Sequence, residues 1–370
     1  SNKFDVVENG IDLSHFISIR DGVFNPKKII MVSRFAKSKD HFTVIKAMQY
    51  IPADVQLIFV TSMTRIDSNK TKEKPVISGF QYSVNPGIHF PGIMEMVAKK
   101  YDIPVLGIIN CTSNPYGTGA IDVINNFCSN SDIPIGMYSK PGFLCDEDTM
   151  AYNKTISERF ATQYEPVGNK QPEDAVRLYR RLLADADNNS VIIVTIGPLN
   201  TIAQLLISEA DDICNQSGTE LIAQKVYTVI SMAGSTENKQ REYNIVCDGT
   251  AACTFVEKMP VPVIYSGFEI GYSIDSGFMP DKIPENYENN PVALSYKLYT
   301  EFRKMKPYIN KSYDLTAVHF AFEGEGDIYK LSGPGKMTVD KNMDYATEFE
   351  MCSEGNNFYI ELNCSADALG

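Results

Sequence analysis

Short, solid apolar runs alternate with longer stretches of helical spacing through most of this chain. Val105–Asn110, Ile133–Met137, Val191–Ile196, Val226–Met232 and Pro262–Ser266 read as strands. Ile93–Lys100, Gly119–Phe127, Pro172–Ala184, Asn200–Ser208 and Thr250–Glu257 read as helices between and around them. A strand with no polar face must be covered on both sides, and a helix between two strands carries the chain back to start the next in the same direction. The pattern predicts an α/β fold: a mostly parallel central sheet with helices on both faces. Ligands of such sheets bind beyond the carboxyl ends of the strands.

An earlier unit has the same grammar: strand Lys28–Ser33, helix Asp40–Tyr50, strand Val55–Thr61, a βαβ segment. Residues 62–92 then turn polar and basic before five Gly and Pro positions, the signature of a loop or linker. With 370 residues, about two domains are expected. They are placed at 1–92 and 93–370, the first possibly completing the sheet of the second. Short strands (Tyr329–Val339, Phe358–Leu362) close the chain.

Acidic residues outnumber basic ones 46 to 34, a net charge of −12. Such a surface repels phosphate backbones, so nucleic acid is not expected as a partner. No apolar run approaches the ~20 residues that span a bilayer, so no membrane partner is expected. The opening SNKFDVVENG lacks a signal-peptide pattern, and the eight cysteines form no C-x-x-C pair. Reduced thiols in a cytoplasmic protein are expected.

The residues after the strands are small, amide and carboxylate groups: Cys111 to Asn114, Gly197 to Asn200, Glu242 to Asn244, Ser266 to Glu269, and later Ser312 to Asp314. Amides and carboxylates hydrogen-bond vicinal hydroxyls, so a small, hydroxyl-rich ligand fits. Each group also has a plainer account: Asn200 as a helix cap, Glu242 paired with Arg241 or Lys239, Asn114-Pro115 as a turn starter, Asp314 as a cap.

Five segments in register resemble the inosine/uridine-preferring nucleoside hydrolase family over residues 94–340: NCTSNPYG (110–117), SDIPIGMYSKPGF (131–143), TIGPLNTIA (195–203), EYNIVCDGTAA (242–252) and SYDLTAV (312–318). The resemblance implies hydrolysis of the N-glycosidic bond of a ribonucleoside, with Ca²⁺ as cofactor. It makes Asp314 and the backbone carbonyl of Ile196 metal ligands. Asn114, Glu242 and Asn244 would bind the ribose, Met232 would line the pocket, and Tyr313 would stand near the leaving base. It also implies a homo-oligomer.

The family's acidic signature, D-x-D-x-x-x-D-D at the end of the first strand, has no match. Ser83, Asn85, His89 and Phe90 stand at its spacing; a second segment, Val60 to Ser68, keeps one acid, Asp67. One remaining carboxylate is a poor set for an ion that takes about 6–8 oxygens. Losing the general base alone lowers a rate by about 10²–10⁴-fold. His89 is a weak candidate base, with an ordinary loop histidine as the competing reading. The alternatives are an impaired hydrolase or a catalytically inactive ribose- or nucleoside-binding protein.

Residues 1–92 resemble the donor-binding domain of retaining GT-B glycosyltransferases, through ENGID (8–12), Ser33-Arg34 with Lys39, and NPGIHFPG (85–92). There Arg34 and Lys39 would clamp a diphosphate. The family's later glutamate pair has no counterpart, and two solvated cations in a loop is the other reading. A glycosyltransferase fragment is therefore a third alternative.

Overall fold

A computed structural model describes residues 104–366 except 129–130, 146–151, 237–238, 279–282, 284 and 306–307, and before them three strand backbones. These are β1 (Lys28–Val32), β2 (Gln56–Val60) and β3 (Val76–Tyr82). The chain divides into two units, Ser1–Thr71 and Lys72–Gly370.

In the smaller unit β1 and β2 pair in parallel, Ile30 opposite Ile58, as expected for a βαβ segment; the helix read between them lies outside the described residues.

The larger unit holds β4 (Ile108–Asn110), α1 (Gly117–Phe127), β5 (Ile135–Met137), α2 (Asn153–Phe160), β6 (Glu173–Asp174), α3 (Ala175–Asp185), β7 (Val191–Thr195) and α4 (Asn200–Leu206). Next come α5 (Gly218–Lys225), β8 (Val226–Ser231), α6 (Tyr243–Val246), α7 (Gly249–Lys258), β9 (Val263–Tyr265), α8 (Phe268–Ser273), β10 (Asp275–Gly277), α9 (Pro291–Phe302), β11 (Ile309–Lys311) and α10 (Tyr313–Glu323). The antiparallel end is β12 (Tyr329–Leu331), β13 (Gly335–Asp340), β14 (Ala346–Met351) and β15 (Asn357–Leu362).

The main sheet runs β14-β13-β15-β9-β8-β7-β3-β4-β5-β6, with β12 on β15. From β15 to β6 every pairing is parallel. The expected α/β fold is the one observed. On β7 the side chains alternate between two apolar layers. Ile192 and Val194 pack with Ile121, Ile124, Ala317 and Val318 of α1 and α10. Val191 and Ile193 pack with Leu178, Ile202, Leu221 and Phe255 of α3, α4, α5 and α7. That is the period-two consequence of a strand covered on both faces.

Helix starts follow the local chemistry. Asp174 accepts from the amides of Val176 and Arg177, Ser217 and Glu220 form a reciprocal capping box, and Asn290 caps α9 ahead of Pro291.

The stretch 62–92, a loop by its composition, contains β3. This strand sits in the middle of the sheet, with Phe80 opposite both Ile108 and Val194. Its register shifts between Ile77 and Phe80, around Gly79. A glycine inside a strand commonly marks such an irregularity, and it hid the strand from a periodicity reading. The eight cysteines form no disulfide with one another; Cys111 and Cys253 are buried and the other six are half-buried rather than core thiols. Among the described residues no helix is long and apolar enough to cross a membrane.

Candidate functional site

The carboxyl ends of β4, β7 and β8 meet the first turns of α6 and α10. Backbone bonds lock the ends of the strands together: the amide of Met232 donates to the Thr195 carbonyl at 2.8 Å, and Ser266 to Ser231 at 2.8 Å. Beneath them the Thr195 hydroxyl donates to that of Ser231 at 2.7 Å. Asn200 Nδ2 donates to the Cys111 carbonyl at 2.9 Å, tying β7 to β4, the two strands that flank β3. Asn200 is the first residue of α4 rather than its cap, and its side chain makes tertiary bonds, to the Cys111 carbonyl and to Tyr138.

Glu242 is 4% exposed and sits at the N-terminus of α6. Its Oε1 accepts from the Asn244 amide at 3.0 Å, and its Oε2 from Gly234 at 3.1 Å and Ile245 at 3.2 Å. Burial outweighs these bonds and pushes the carboxyl up to about 7. The surface pairing with Arg241 or Lys239 does not form: Arg241 pairs with Asp344 and Lys239 with Glu348.

Asn244 Nδ2 donates to the Met232 carbonyl at 2.9 Å and reaches its sulfur at 3.3 Å, so Met232, Glu242 and Asn244 form one buried group. Asp314 lies in the first turn of α10. Burial, with the Glu242 charge adding to it, raises its carboxyl well above the ordinary carboxylate range. The Cys111 thiol is pushed up by burial, with Cys247 and Asp314 contributing. Tyr313 feels both Glu242 and Asp314, and burial moves its phenol up to about 12.

Tyr313 is held by an aromatic ladder that the sequence motifs do not show. Phe268 stacks on Tyr313 at 5.4 Å and on Tyr272 at 5.3 Å, and Lys311 caps Tyr272 at 5.1 Å. Gly271 makes this possible: a Cβ there would lie 2.4 Å from Cα of Tyr313.

Asn114 is fully buried after β4; its Oδ1 accepts from the Tyr116 amide at 2.9 Å and its carbonyl from Gly117 at 3.0 Å. That is the turn expected of Asn-Pro. Ile196 is buried just past the end of β7. The structure thus gathers Met232, Glu242, Asn244, Tyr313 and Asp314, with Cys111 beside them. Arg34, Lys39 and His89 lie outside the described residues.

Solved structures with this architecture include the inosine-uridine preferring nucleoside hydrolase from Bacillus anthracis, with a TM-score of 0.57, 13% identity, and 78% of this chain and 95% of that one covered. They include the purine-preferring ribonucleoside hydrolase from Gardnerella vaginalis, at 0.59 and 13%, covering 78% and 93%. An inosine-guanosine nucleoside hydrolase matches at 0.58 and 17%, covering 78% and 94%. The fold is that of the nucleoside hydrolases. No family model and no curated protein matches the sequence, so the glycosyltransferase resemblance of residues 1–92 finds no support.

On this nucleoside hydrolase fold, β3 lies between β7 and β4 and ends at Tyr82, directly before Ser83. From Val76 to Gly92 the sequence contains no Asp or Glu. The other segment considered, Val60 to Ser68, begins at the end of β2, in the smaller unit. Among the described residues no group of three or more His, Cys, Asp or Glu is placed to hold a metal. Burial raises the carboxyls of both Glu242 and Asp314, and both oxygens of Glu242 accept from backbone amides. That donor set does not fit Ca²⁺, which needs about 6–8 oxygens with anionic ones among them.

Proposed function

We propose that this chain binds the ribosyl group of a nucleoside at the carboxyl edge of its sheet, and that it does so without rapid hydrolysis. The observation that carries this reading is the joined group of Asp314, Glu242 and Asn244 on a nucleoside hydrolase fold. A buried carboxyl accepts from a hydroxyl and, when protonated, also donates to one, so Asp314, raised by burial above the ordinary carboxylate range, suits a vicinal diol. Asn244 and Met232 shape the wall beneath it, and the Tyr313 ring, held by Phe268, offers a flat face to the base. Asn114 and the Ile196 carbonyl are assigned to the same rim.

Slow hydrolysis of the N-glycosidic bond is the second reading, favoured by the Glu242 carboxyl near 7. A group poised near the working pH is suited to proton transfer. In that reaction water adds to the anomeric carbon, the bond to the base breaks, and the base leaves with a proton.

The two are separated by ligand-induced thermal stabilisation and by free-ribose release, each with inosine and uridine, with and without Ca²⁺. Stabilisation by ribonucleosides but not 2′-deoxynucleosides, with no ribose released by stoichiometric protein, supports binding. Ribose release above background supports hydrolysis. Neither response would remove both readings.

A further inference from the structure

We propose that Thr347, on the edge strand β14, is a positioning residue for the candidate site, holding the turn after β8 in the conformation that serves both Glu242 and Tyr313. Its part in ligand binding rests on the ribosyl reading; the clamp itself is read without ligand.

β14 ends the main sheet, with β13, β15 and β9 between it and β8. Thr347 is nonetheless fully buried. Its hydroxyl accepts from the Ser235 amide at 2.7 Å and donates to the Ser235 carbonyl at 3.2 Å. One hydroxyl thus satisfies both backbone groups of a buried residue, through its donor and one of its lone pairs. The Thr347 amide also reaches the Gln240 carbonyl, at 3.4 Å. Thr347 therefore touches the stretch between β8 and α6 near both of its ends. Two ion pairs flank it on the surface, Lys239 with Glu348 and Arg241 with Asp344. Exposed pairs contribute little, so the buried hydroxyl is the stronger part of the clamp.

The turn matters because Gly234 serves two sides of the site. Its φ is +76°, the left-handed region that favours glycine. Its amide donates to Glu242 Oε2 at 3.1 Å, and its carbonyl accepts from the Phe268 amide at 2.9 Å. Phe268 in turn stacks on Tyr313. The Gly234 carbonyl and the Ser235 amide belong to one peptide plane, pinned by Phe268 at one end and by Thr347 at the other. Rotation of that plane would take the carbonyl from Phe268 and disturb the neighbouring amide on Glu242. A glycine resists such rotation poorly, because it has no Cβ to restrict φ and ψ. Thr347 supplies the restraint from outside: a Cβ on Gly234 would lie 3.0 Å from Thr347 Oγ1 and 3.3 Å from its Cγ2.

The test compares the full chain with Thr347→Val, which keeps the shape and removes the hydroxyl, and with Thr347→Ser, which keeps the hydroxyl. Amide NMR and calorimetry with inosine read the result. In Thr347→Val the Gly234 amide proton should move upfield as its bond to Glu242 is lost. Inosine should bind about tenfold more weakly, the scale of one or two hydrogen bonds. Thr347→Ser should restore both. A valine variant that loses stability but keeps the Gly234 resonance and the affinity would overturn the proposal. Hydrogen exchange of the unmodified chain needs no variant to fold: the Ser235 amide should exchange as slowly as the amides of β7, and exchange at the rate of an exposed turn would overturn the clamp. If the unmodified chain binds no inosine, the ribosyl reading falls, and the Gly234 resonance still decides whether Thr347 positions Glu242.

Discussion

Glu242 stands within electrostatic reach of Asp314, and its negative charge adds to burial in raising the Asp314 carboxyl. One residue comes from the start of α6 and the other from the start of α10, far apart in the chain. Their pairing makes proton binding part of the stability of the site.

The pH dependence follows from the sign of the shift. Glu242 moves from 4.5 to about 7 on folding, so between those values the folded chain holds more protons than the unfolded one. This contribution is fully present below about 4.5, falls as pH rises, and is lost once pH passes about 7. The slope from one such group is about 1.4 kcal/mol per pH unit at most. Urea denaturation between pH 4.5 and 7.5 should show it, and Glu242→Gln should flatten it.

Glu242→Ala should destabilise the protein by about 2 kcal/mol or more. It strips three backbone amides, those of Gly234, Asn244 and Ile245, of their acceptor and removes a helix cap. Glu242→Gln keeps one acceptor oxygen and should cost less. Chemical denaturation of the two variants at pH 6 checks the order.

Asp314→Asn should raise stability at pH 8 by about 1 kcal/mol, because it removes a group whose charged form burial and Glu242 disfavour. Asp314→Leu, which removes both donor and acceptor, should in addition weaken ribonucleoside binding. Opposite movement of the melting temperature and of ligand affinity is the signature; parallel loss of both would place Asp314 in a structural role.

Gly271→Ala should cost about 1–3 kcal/mol through overpacking against Tyr313. It should also displace the Tyr313 ring from Phe268 and weaken binding of nucleosides more than of free ribose. Calorimetry with inosine and ribose side by side reads that difference.

Arg180 is 1% exposed and binds Asp211, the Ser208 hydroxyl and the carbonyls of Cys214 and Gln216. Arg180→Ala should destabilise by about 3 kcal/mol, by leaving those acceptors without their donor. Nucleoside affinity at low temperature should stay unchanged, because Arg180 pins α3 to the loop before α5 and touches no residue of the site. Equilibrium unfolding paired with calorimetry tests both halves.

The alternation of apolar runs determined the fold class by itself. Val191–Thr195, with every residue buried, has to be an interior strand, because no face of it tolerates water. The segments after the strands likewise singled out Glu242, Asn244, Tyr313 and Asp314 as candidates, and the family resemblance added Met232. Two things were decided only in three dimensions. β3 carries Gly79 and lies among polar residues, so no periodicity marks it; its place comes from backbone bonds to β7 and β4, which depend on partners far along the chain. The protonation of the site is the other. A glutamate at an exposed helix start is an ordinary anion, whereas burial raises the Glu242 carboxyl to about 7 despite its bonds to backbone amides.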